Sequence, residues 1–220
     1  MIRSVMFDFG GVITTSPFEA FARYEKERGL PDGFIRLVNS TDPDTNAWSH
    51  LERGHLDVAA FAAAFEEEAL RLGHGVDGRE VLSRLSGDIR PAMVEAVRRC
   101  SAHFATACVT NNFALEGVGT PPEVLAIFEL FDVVVESSVV GVRKPETRFY
   151  ELACELVGVS PPEVVYLDDL GINLKPARAM GMHTIRVTDP DAALRELSAA
   201  TGLAFGDVGG TSGGARGPGR

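Results

Sequence analysis

Polar residues follow the apolar runs of this sequence at four places, and their types could together bind and transfer a phosphoryl group. Carboxylates held close together repel one another, and a divalent hard cation such as Mg²⁺, which also binds phosphate, relieves that repulsion. A lysine and a hydroxyl beside the cation would complete the pocket, so that one carboxylate could attack phosphorus in line. The residues are Asp8, Thr110, Lys144 and the adjacent pair Asp168 and Asp169.

Each of these residues, taken singly, also fits a structural role. Asp8 could cap the next turn, Lys144 could be a surface lysine, and the two late acids could cap a helix that begins near Gly171. Their shared position after apolar runs is what indicates a site. That position depends on the elements that carry them.

Short apolar runs alternate with helical patterns in the first and last parts of the chain. The predicted strands are Ser4–Phe7, Thr106–Thr110, Phe131–Val135, Val164–Leu167 and Thr184–Val187, and the predicted helices are Pro91–Ser101, Glu123–Leu130, Thr147–Val157 and Leu174–Met180. Continuous apolar strands that alternate with helices predict an α/β fold with a doubly wound, Rossmann-like parallel sheet. Such a sheet gathers the carboxyl ends of its strands at one edge, where binding sites lie.

Residues 16–88 interrupt the alternation with amphipathic helical patterns and no convincing strand. These patterns cover Phe18–Glu27, Gly33–Asn39 and Val58–Leu72. We therefore predict an α/β core made of residues 1–15 and 89–205, with an inserted α-helical domain at 16–88. The segment 206–220 is rich in glycine and poor in apolar residues, which predicts a disordered tail.

Composition limits the expected partners and compartment. The net charge of −10 repels nucleic acid and anionic lipid, so neither nucleic acid nor a membrane is an expected partner. A small phosphorylated metabolite would need a local positive site. The three cysteines lack metal-ligand spacing and fit reduced core thiols, and no run approaches the roughly 18 apolar residues of a membrane helix. We expect a cytoplasmic protein, either a monomer or a homodimer.

The same residues resemble the four dispersed motifs of the haloacid dehalogenase superfamily, and the resemblance covers nearly the whole chain outside the tail. The stretches "GVRKPETRFY" and "YLDDLGINLKPARAMGMHTI" are long and specific. They are similar to the subgroup that includes the amino-terminal phosphatase domain of soluble epoxide hydrolase and the bacterial sugar-phosphate phosphatases. The helical insertion resembles the type-one cap of this family, which closes over the site and selects the substrate.

The resemblance implies a Mg²⁺-dependent hydrolase of a small phosphomonoester. Asp8 matches the nucleophile that forms an aspartyl-phosphate, and Thr110 and Lys144 match the residues that hold the phosphoryl oxygens. The implied metal ligands are Asp8, Asp168, Asp169 and the backbone carbonyl of Gly10. The expected phosphate-binding residues are Gly10, Gly11, Asn111 and Asn112. The two glycines have no side chain to obstruct a sharp turn or the approach of backbone amides to a phosphate.

Gly10 departs from the pattern of most phosphatases in this family, which have a second aspartate there as general acid and base. A positioned proton donor contributes roughly 10² to 10⁴ in rate. The first hypothesis is a phosphatase for leaving groups that need little protonation, or one that takes its acid from water or from the insertion. His50, Glu52 and His55 are the candidates there, and a solvated turn is the alternative for each.

Two other hypotheses stay open. Dehalogenases and phosphonate hydrolases of this family also lack the aspartate, but the latter need a lysine in the insertion, where only Lys26 is present and fits a solvated surface residue. A non-catalytic phosphate-binding domain is the last hypothesis, and Gly10 is its one supporting feature. Trp48 fits either the core of the insertion or a platform for substrate, and Asn173 fits either a helix start or a support for the late acids.

Overall fold

A computed structural model describes residues 1–85, 87–112 and 120–205, and a five-stranded sheet lies at its centre. The strands are β1 (Ser4–Phe7), β2 (Ala105–Thr110), β3 (Val133–Glu136), β4 (Val164–Asp168) and β5 (His183–Arg186). Their order is β3-β2-β1-β4-β5, and every neighbouring pair is parallel. The predicted tail, residues 206–220, lies outside the described residues.

Helices connect the strands and form the insertion. They are α1 (Phe18–Arg28), α2 (Phe34–Ser40), α3 (Ala47–Glu52), α4 (Val58–Arg71), α5 (Gly78–Ser83), α6 (Pro91–Ser101), α7 (Pro122–Phe128), α8 (Ser137–Val140), α9 (Thr147–Val157), α10 (Gly171–Ala179) and α11 (Pro190–Thr201). All of the helices predicted for the core are present, with small differences at their ends.

Side chains of β1 alternate between the two faces of the sheet. Val5 and Phe7 pack in one hydrophobic cluster with residues of α6 and α11, and Met6 packs in a second cluster with residues of α9 and α10. A strand buried on both faces needs apolar residues at every position, which explains the continuous apolar run. The predicted doubly wound α/β sheet is confirmed.

The helices α1 to α5 share a third hydrophobic cluster of their own. The chain enters and leaves this insertion through adjacent segments, because Thr14 forms an antiparallel bridge with Ile89 and the N–H of Arg90 donates to the carbonyl of Ile13 at 2.8 Å. The sequence patterns predicted three of the five helices. The other two, α3 and α5, have six residues each, too few for a 3.6-residue period to be recognised.

The strand order changes direction at β1. From β1 the chain adds β2 and β3 on one side, and it then places β4 and β5 on the other side. In open parallel sheets the crevice at such a switch point is where ligands bind. The carboxyl ends of β1 and β4, and therefore Asp8 and Asp168, flank this crevice.

The cysteines Cys100, Cys108 and Cys154 are buried and unpaired, as expected for core thiols. Among the helices in the described ranges, none has both the length and the apolar character that a membrane crossing requires.

Candidate active site

Asp8 follows β1 directly and is 7% exposed. Its backbone N–H donates to the carbonyl of Leu167 at 2.9 Å, which extends the pairing of β1 with β4 by one residue. Its Oδ1 accepts a hydrogen bond from the backbone N–H of Phe9 at 2.7 Å. Burial raises the pKa of the Asp8 carboxyl well above its ordinary value, although the charge of Lys144 opposes this rise.

The ammonium group of Lys144 lies between two carboxylates and is almost completely buried. Its Nζ is 2.8 Å from Oδ1 of Asp8 and 2.9 Å from Oδ2 of Asp168. Burial disfavours the charged form, but the charges of Asp168 and Asp8 outweigh it and raise the pKa of Lys144 above its ordinary value. Lys144 is therefore a fixed buried cation, and the alternative of a surface lysine is wrong.

Asp168 is fully buried and accepts hydrogen bonds on both oxygens. Besides Lys144, the donors are Nδ2 of Asn173 at 3.1 Å from each oxygen and the backbone N–H of Leu170 at 2.8 Å from Oδ1. The hydroxyl of Tyr166 donates to Oδ2. Asp168 is thus held firmly enough to orient Lys144. Asn173 lies in the first turn of α10 and also donates to Asp168. It therefore has both of the predicted roles, a residue at a helix start and a support for the late acids.

Sequence reasoning missed Tyr166. The available signal is the two-residue period of a strand, which projects the side chains of Tyr166 and Asp168 from the same face of β4. The ring of Tyr166 packs edge to face on Tyr150, with centroids 5.8 Å apart, and the Tyr150 hydroxyl donates to the carbonyl of Asn173 at 2.7 Å. The two tyrosines therefore join the buried acid to the hydrophobic core beneath it.

Asp169 completes an acidic cluster with the other two carboxylates. One oxygen from each of Asp8, Asp168 and Asp169 lies within 4.8 Å of the others. Burial, followed by the charge of Asp168, raises the pKa of Asp169 to about 6. The carboxyl group packs against Gly11, which has φ of 75°, and a Cβ at Gly11 would lie 2.3 Å from Cγ of Asp169. A side chain at position 11 would therefore be strained by the positive φ and would displace the Asp169 carboxyl group.

The chemistry of this cluster fits a divalent hard cation. The cluster holds three carboxylates, and one ammonium, that of Lys144, contacts two of them, which leaves a surplus of negative charge when all three acids are ionised. Such a surplus is costly unless a cation offsets it, and carboxylate oxygens are the ligands that Mg²⁺ prefers. Asp8 and Asp169 are best placed to hold the ion, since several donors already engage Asp168. Ligation by Asp8, Asp168, Asp169 and the Gly10 carbonyl stays a prediction.

The polar residues that end β2 contact other parts of the core. Thr110 is buried at the end of the strand. The side chain of Asn111 accepts from the N–H of Lys144 at 2.8 Å and donates to its carbonyl at 3.1 Å, and Nδ2 of Asn112 donates to Glu136 at 2.7 Å. Both asparagine side chains thus have protein partners, and phosphate binding by Asn111 and Asn112 stays a prediction.

Gly10 differs from Gly11 in its backbone angles and in the space around it. Its φ of −67° and ψ of 133° are open to any L-residue. Apart from its two chain neighbours, no described residue has a heavy atom within 4 Å of a Cβ built there. The local backbone therefore does not require glycine at position 10, and the described residues leave room for a side chain there.

Only one of the three candidate proton donors in the insertion contacts a predicted site residue within the described structure. His50 and His55 lie beside each other, with their Nδ1 atoms 3.3 Å apart. Glu52, at the end of α3, is 8% exposed, and its Oε2 accepts from Nδ2 of Asn111 at 3.2 Å. The alternative of a solvated turn is therefore wrong for Glu52.

Two other residues of the insertion have clear surroundings. The indole of Trp48 makes aromatic contacts with Phe21, Phe61 and Phe65, at centroid distances of 5.3 to 6.3 Å. These contacts place Trp48 in the hydrophobic core of the insertion. Lys26 is exposed on α1, as expected.

A doubly wound sheet with a buried lysine among carboxylates at its switch point is an enzyme core of the Rossmann-like class. A family model described as haloacid dehalogenase-like hydrolase matches residues 2–181. The chain belongs to this family and is an enzyme, a hydrolase.

Known relatives cover most of this chain. Bifunctional epoxide hydrolase 2 of Rattus norvegicus is 41% identical over 221 residues, which are 93% of this chain and 40% of that protein. Phosphatase MT3486 of Mycobacterium tuberculosis is 27% identical and covers 90% of this chain and 94% of its own length. The chain spans 40% or less of the length of its mammalian relatives.

A solved structure shares the fold. The haloacid dehalogenase family enzyme bt-2542 of Bacteroides thetaiotaomicron, in complex with magnesium and inorganic phosphate, superposes with a TM-score of 0.57 at 17% identity. The match covers 84% of this chain and 94% of that one.

Proposed function

We propose that the chain is a Mg²⁺-dependent phosphatase that hydrolyses a small phosphomonoester through a phosphorylated Asp8. The observation that carries this proposal is the buried contact of Lys144 with both Asp8 and Asp168, beside an acidic cluster suited to a divalent cation. The similarity to phosphatase MT3486 over 90% of the chain supports it. The magnesium and phosphate bound by bt-2542 are consistent with the same ligands here.

The carboxylate of Asp8 is the proposed nucleophile. Phe9 N–H and Lys144 both contact Oδ1, so we assign Oδ2 as the attacking oxygen. Its bond to phosphorus forms as the bond to the leaving oxygen breaks, and water then hydrolyses the acyl phosphate and restores Asp8. Lys144 and Thr110 hold the phosphoryl oxygens. Bound Mg²⁺ would neutralise phosphoryl charge and favour the ionised form of Asp8.

Gly10 bears on which leaving groups the enzyme accepts. A side-chain acid at this position would protonate the departing oxygen, and glycine supplies none. Leaving groups that are stable as anions, such as the carboxylate of an acyl phosphate, need little protonation. Acyl phosphates and anomeric sugar phosphates are therefore the substrate classes we propose.

The insertion is the proposed cap of this enzyme. Its separate hydrophobic cluster and its adjacent entry and exit segments support a division into a core of 1–15 and 89–205 and a cap of 16–88. The contact of Glu52 with Asn111 supports a cap that covers one side of the site.

The alternative activities of this family fit the site less well. A dehalogenase that acts on haloacids binds a carboxylate substrate, which the acidic cluster would repel. A phosphonate hydrolase needs a lysine that reaches the substrate, whereas Lys26 is exposed. A non-catalytic phosphate-binding domain would have no need for the complete set of Asp8, Thr110, Lys144, Asp168 and Asp169, all of which are present.

The test is the release of inorganic phosphate from a panel that contains the acyl phosphate acetyl phosphate and the phosphomonoesters glucose 1-phosphate and a simple alkyl phosphate, with Mg²⁺ or with a chelator. We expect metal-dependent release that is fastest with the acyl and anomeric phosphates. Undiminished release after exhaustive chelation would contradict the metal requirement. If no compound releases phosphate, the phosphatase proposal fails, and haloacids and phosphonates become the next substrates to try.

Binding of Mg²⁺ should weaken as the pH falls through about 6. The pKa of Asp169 in the metal-free protein is raised to about 6 by burial and by Asp168. Because the ion binds ionised carboxylates, protons compete with it below that value, and the apparent Kd should rise at least about tenfold per pH unit there. Calorimetric titration with MgCl₂ between about pH 5 and pH 8 measures this. A Kd that is constant over the range would contradict ligation by Asp169.

A further inference from the structure

Glu52 is a buried acid of the insertion whose carboxylate contacts three donors. Its Oε1 accepts from the indole N–H of Trp48 at 3.1 Å. Its Oε2 accepts from Nδ2 of Asn111 at 3.2 Å and lies 3.0 Å from Nε of Arg143. Trp48 belongs to the insertion, whereas Asn111 and Arg143 belong to the core. The Glu52 carboxylate therefore links the two parts of the molecule.

Both core partners of Glu52 hold the backbone of Lys144. Asn111 accepts from the N–H of Lys144 and donates one amide hydrogen to its carbonyl, which leaves the other amide hydrogen for Glu52. Nε of Arg143 also donates to that carbonyl, at 3.2 Å. Glu52 thus orders the two side chains that fix Lys144, and the ammonium of Lys144 lies 2.8 Å from Asp8.

Arg53, the next residue of the insertion, contacts the core segment that also contains Arg143 and Lys144. Its charge is opposite to that of Glu52. Nη2 of Arg53 lies 2.8 Å from Oε1 of Glu146, and Nε of Arg53 donates to the same oxygen at 2.9 Å. The two parts also approach closely at Gly54, where an added Cβ would lie 2.6 Å from the carbonyl oxygen of Ser138. A shift of the end of α3 away from the core would therefore break both ion pairs together.

We propose that Glu52 is a positioning residue, which aligns Lys144 through Asn111 and Arg143 when the insertion is seated on the core. The proposal rests on the proposed function, in which Lys144 holds the phosphoryl group. A misplacement of about 1 Å at a catalytic group costs roughly 10²-fold in rate. Loss of Glu52 should therefore lower kcat more than it raises KM.

The test compares Glu52→Gln with Glu68→Gln. The first change keeps the shape of the side chain but removes the charge that pairs with Arg143. Glu68 is the matched control for Glu52. Its Oε1 accepts from the N–H of Ala47 at 2.8 Å, and this contact lies at the beginning of α3, whereas Glu52 contacts the core at the end of that helix. Two quantities are measured on the full chain: kcat and KM with acetyl phosphate and Mg²⁺, and hydrogen exchange of the peptide 142–146, which reports the Lys144 amide.

We expect Glu52→Gln to lower kcat by about tenfold or more and to speed exchange of 142–146 by a similar factor, since local opening sets the exchange rate. Glu68→Gln should change neither. Unchanged exchange in Glu52→Gln, or faster exchange with an unchanged kcat, would overturn the positioning role. If the wild type releases no phosphate from any substrate, the proposed function fails, and the exchange comparison alone then decides whether Glu52 orders Lys144. If Glu52→Gln does not fold, Arg143→Gln tests the same ion pair from the core.

Discussion

Replacing Asp8 with asparagine should abolish phosphate release while the fold persists. The asparagine side chain has the shape of aspartate, and its amide oxygen can still accept from the N–H of Phe9. A neutral amide cannot form the acyl phosphate, and loss of the nucleophile should cost about 10⁴-fold or more in turnover. Release of inorganic phosphate measures the activity, and far-UV circular dichroism measures the fold. Mass spectrometry of acid-quenched enzyme should find the phosphoryl group on the Asp8 peptide of the wild type and not on the variant.

The matched control for this change is Asp132→Asn. Asp132 is an exposed acid at the amino ends of the strands, whereas Asp8 lies at their carboxyl ends. It accepts from the N–H of Thr106 at 2.8 Å. This variant should keep wild-type turnover, because it alters the same kind of side chain far from the crevice. An Asp8→Asn enzyme that turns over at the wild-type rate would exclude Asp8 as the nucleophile.

Replacing Gly10 with aspartate should speed the hydrolysis of phosphomonoesters with poor leaving groups by roughly 10²-fold, because it supplies a positioned proton donor. The backbone angles at Gly10 suit aspartate, and the space that its Cβ would enter is open among the described residues. Repulsion from the acidic cluster should raise the pKa of the new carboxyl, which keeps a fraction of it protonated near neutral pH. Acetyl phosphate, whose leaving group needs no acid, should gain little. The measurement is kcat/KM on an alkyl phosphate and on acetyl phosphate at saturating Mg²⁺.

The control for this gain is Gly10→Asn, which fills the same space without a comparable acid. It should leave the ratio between the two substrates unchanged. Equal gains on both substrates, or the same gain in the asparagine variant, would show that leaving-group protonation does not limit the native enzyme. If Gly10→Asp does not speed hydrolysis of the alkyl phosphate, the missing acid at position 10 does not limit the native enzyme.

Much of the fold follows from local patterns in the chain. The apolar runs identify the three central strands β1, β2 and β4 because strands buried on both faces need apolar residues at consecutive positions. The edge strands β3 and β5 are only partly buried, and short apolar runs locate them. Parallel pairing then brings the carboxyl ends of these strands to one edge, so the meeting of Asp8, Lys144 and Asp168 could be predicted without coordinates. Parallel pairing also explains why Gly11 packs tightly on Asp169, since these residues follow the paired central strands β1 and β4.

The contacts that hold Asp8, Lys144 and Asp168 in place are visible only in the tertiary structure. The strand period puts Tyr166 and Asp168 on one face of β4, but it indicates neither the hydrogen bond between them nor that Asn111 holds the backbone of Lys144, because these contacts depend on what packs around the side chains. The burial of Glu52 is the clearest case. Its partners Asn111 and Arg143 lie 59 and 91 positions later in the chain. Helix α3 is too short to have a readable period, and only the docking of the insertion on the core brings these groups together. The sequence alone determined which residues could perform the chemistry and at which edge of the sheet they meet. The tertiary structure decided what holds them in place, because those contacts join segments that no local pattern relates.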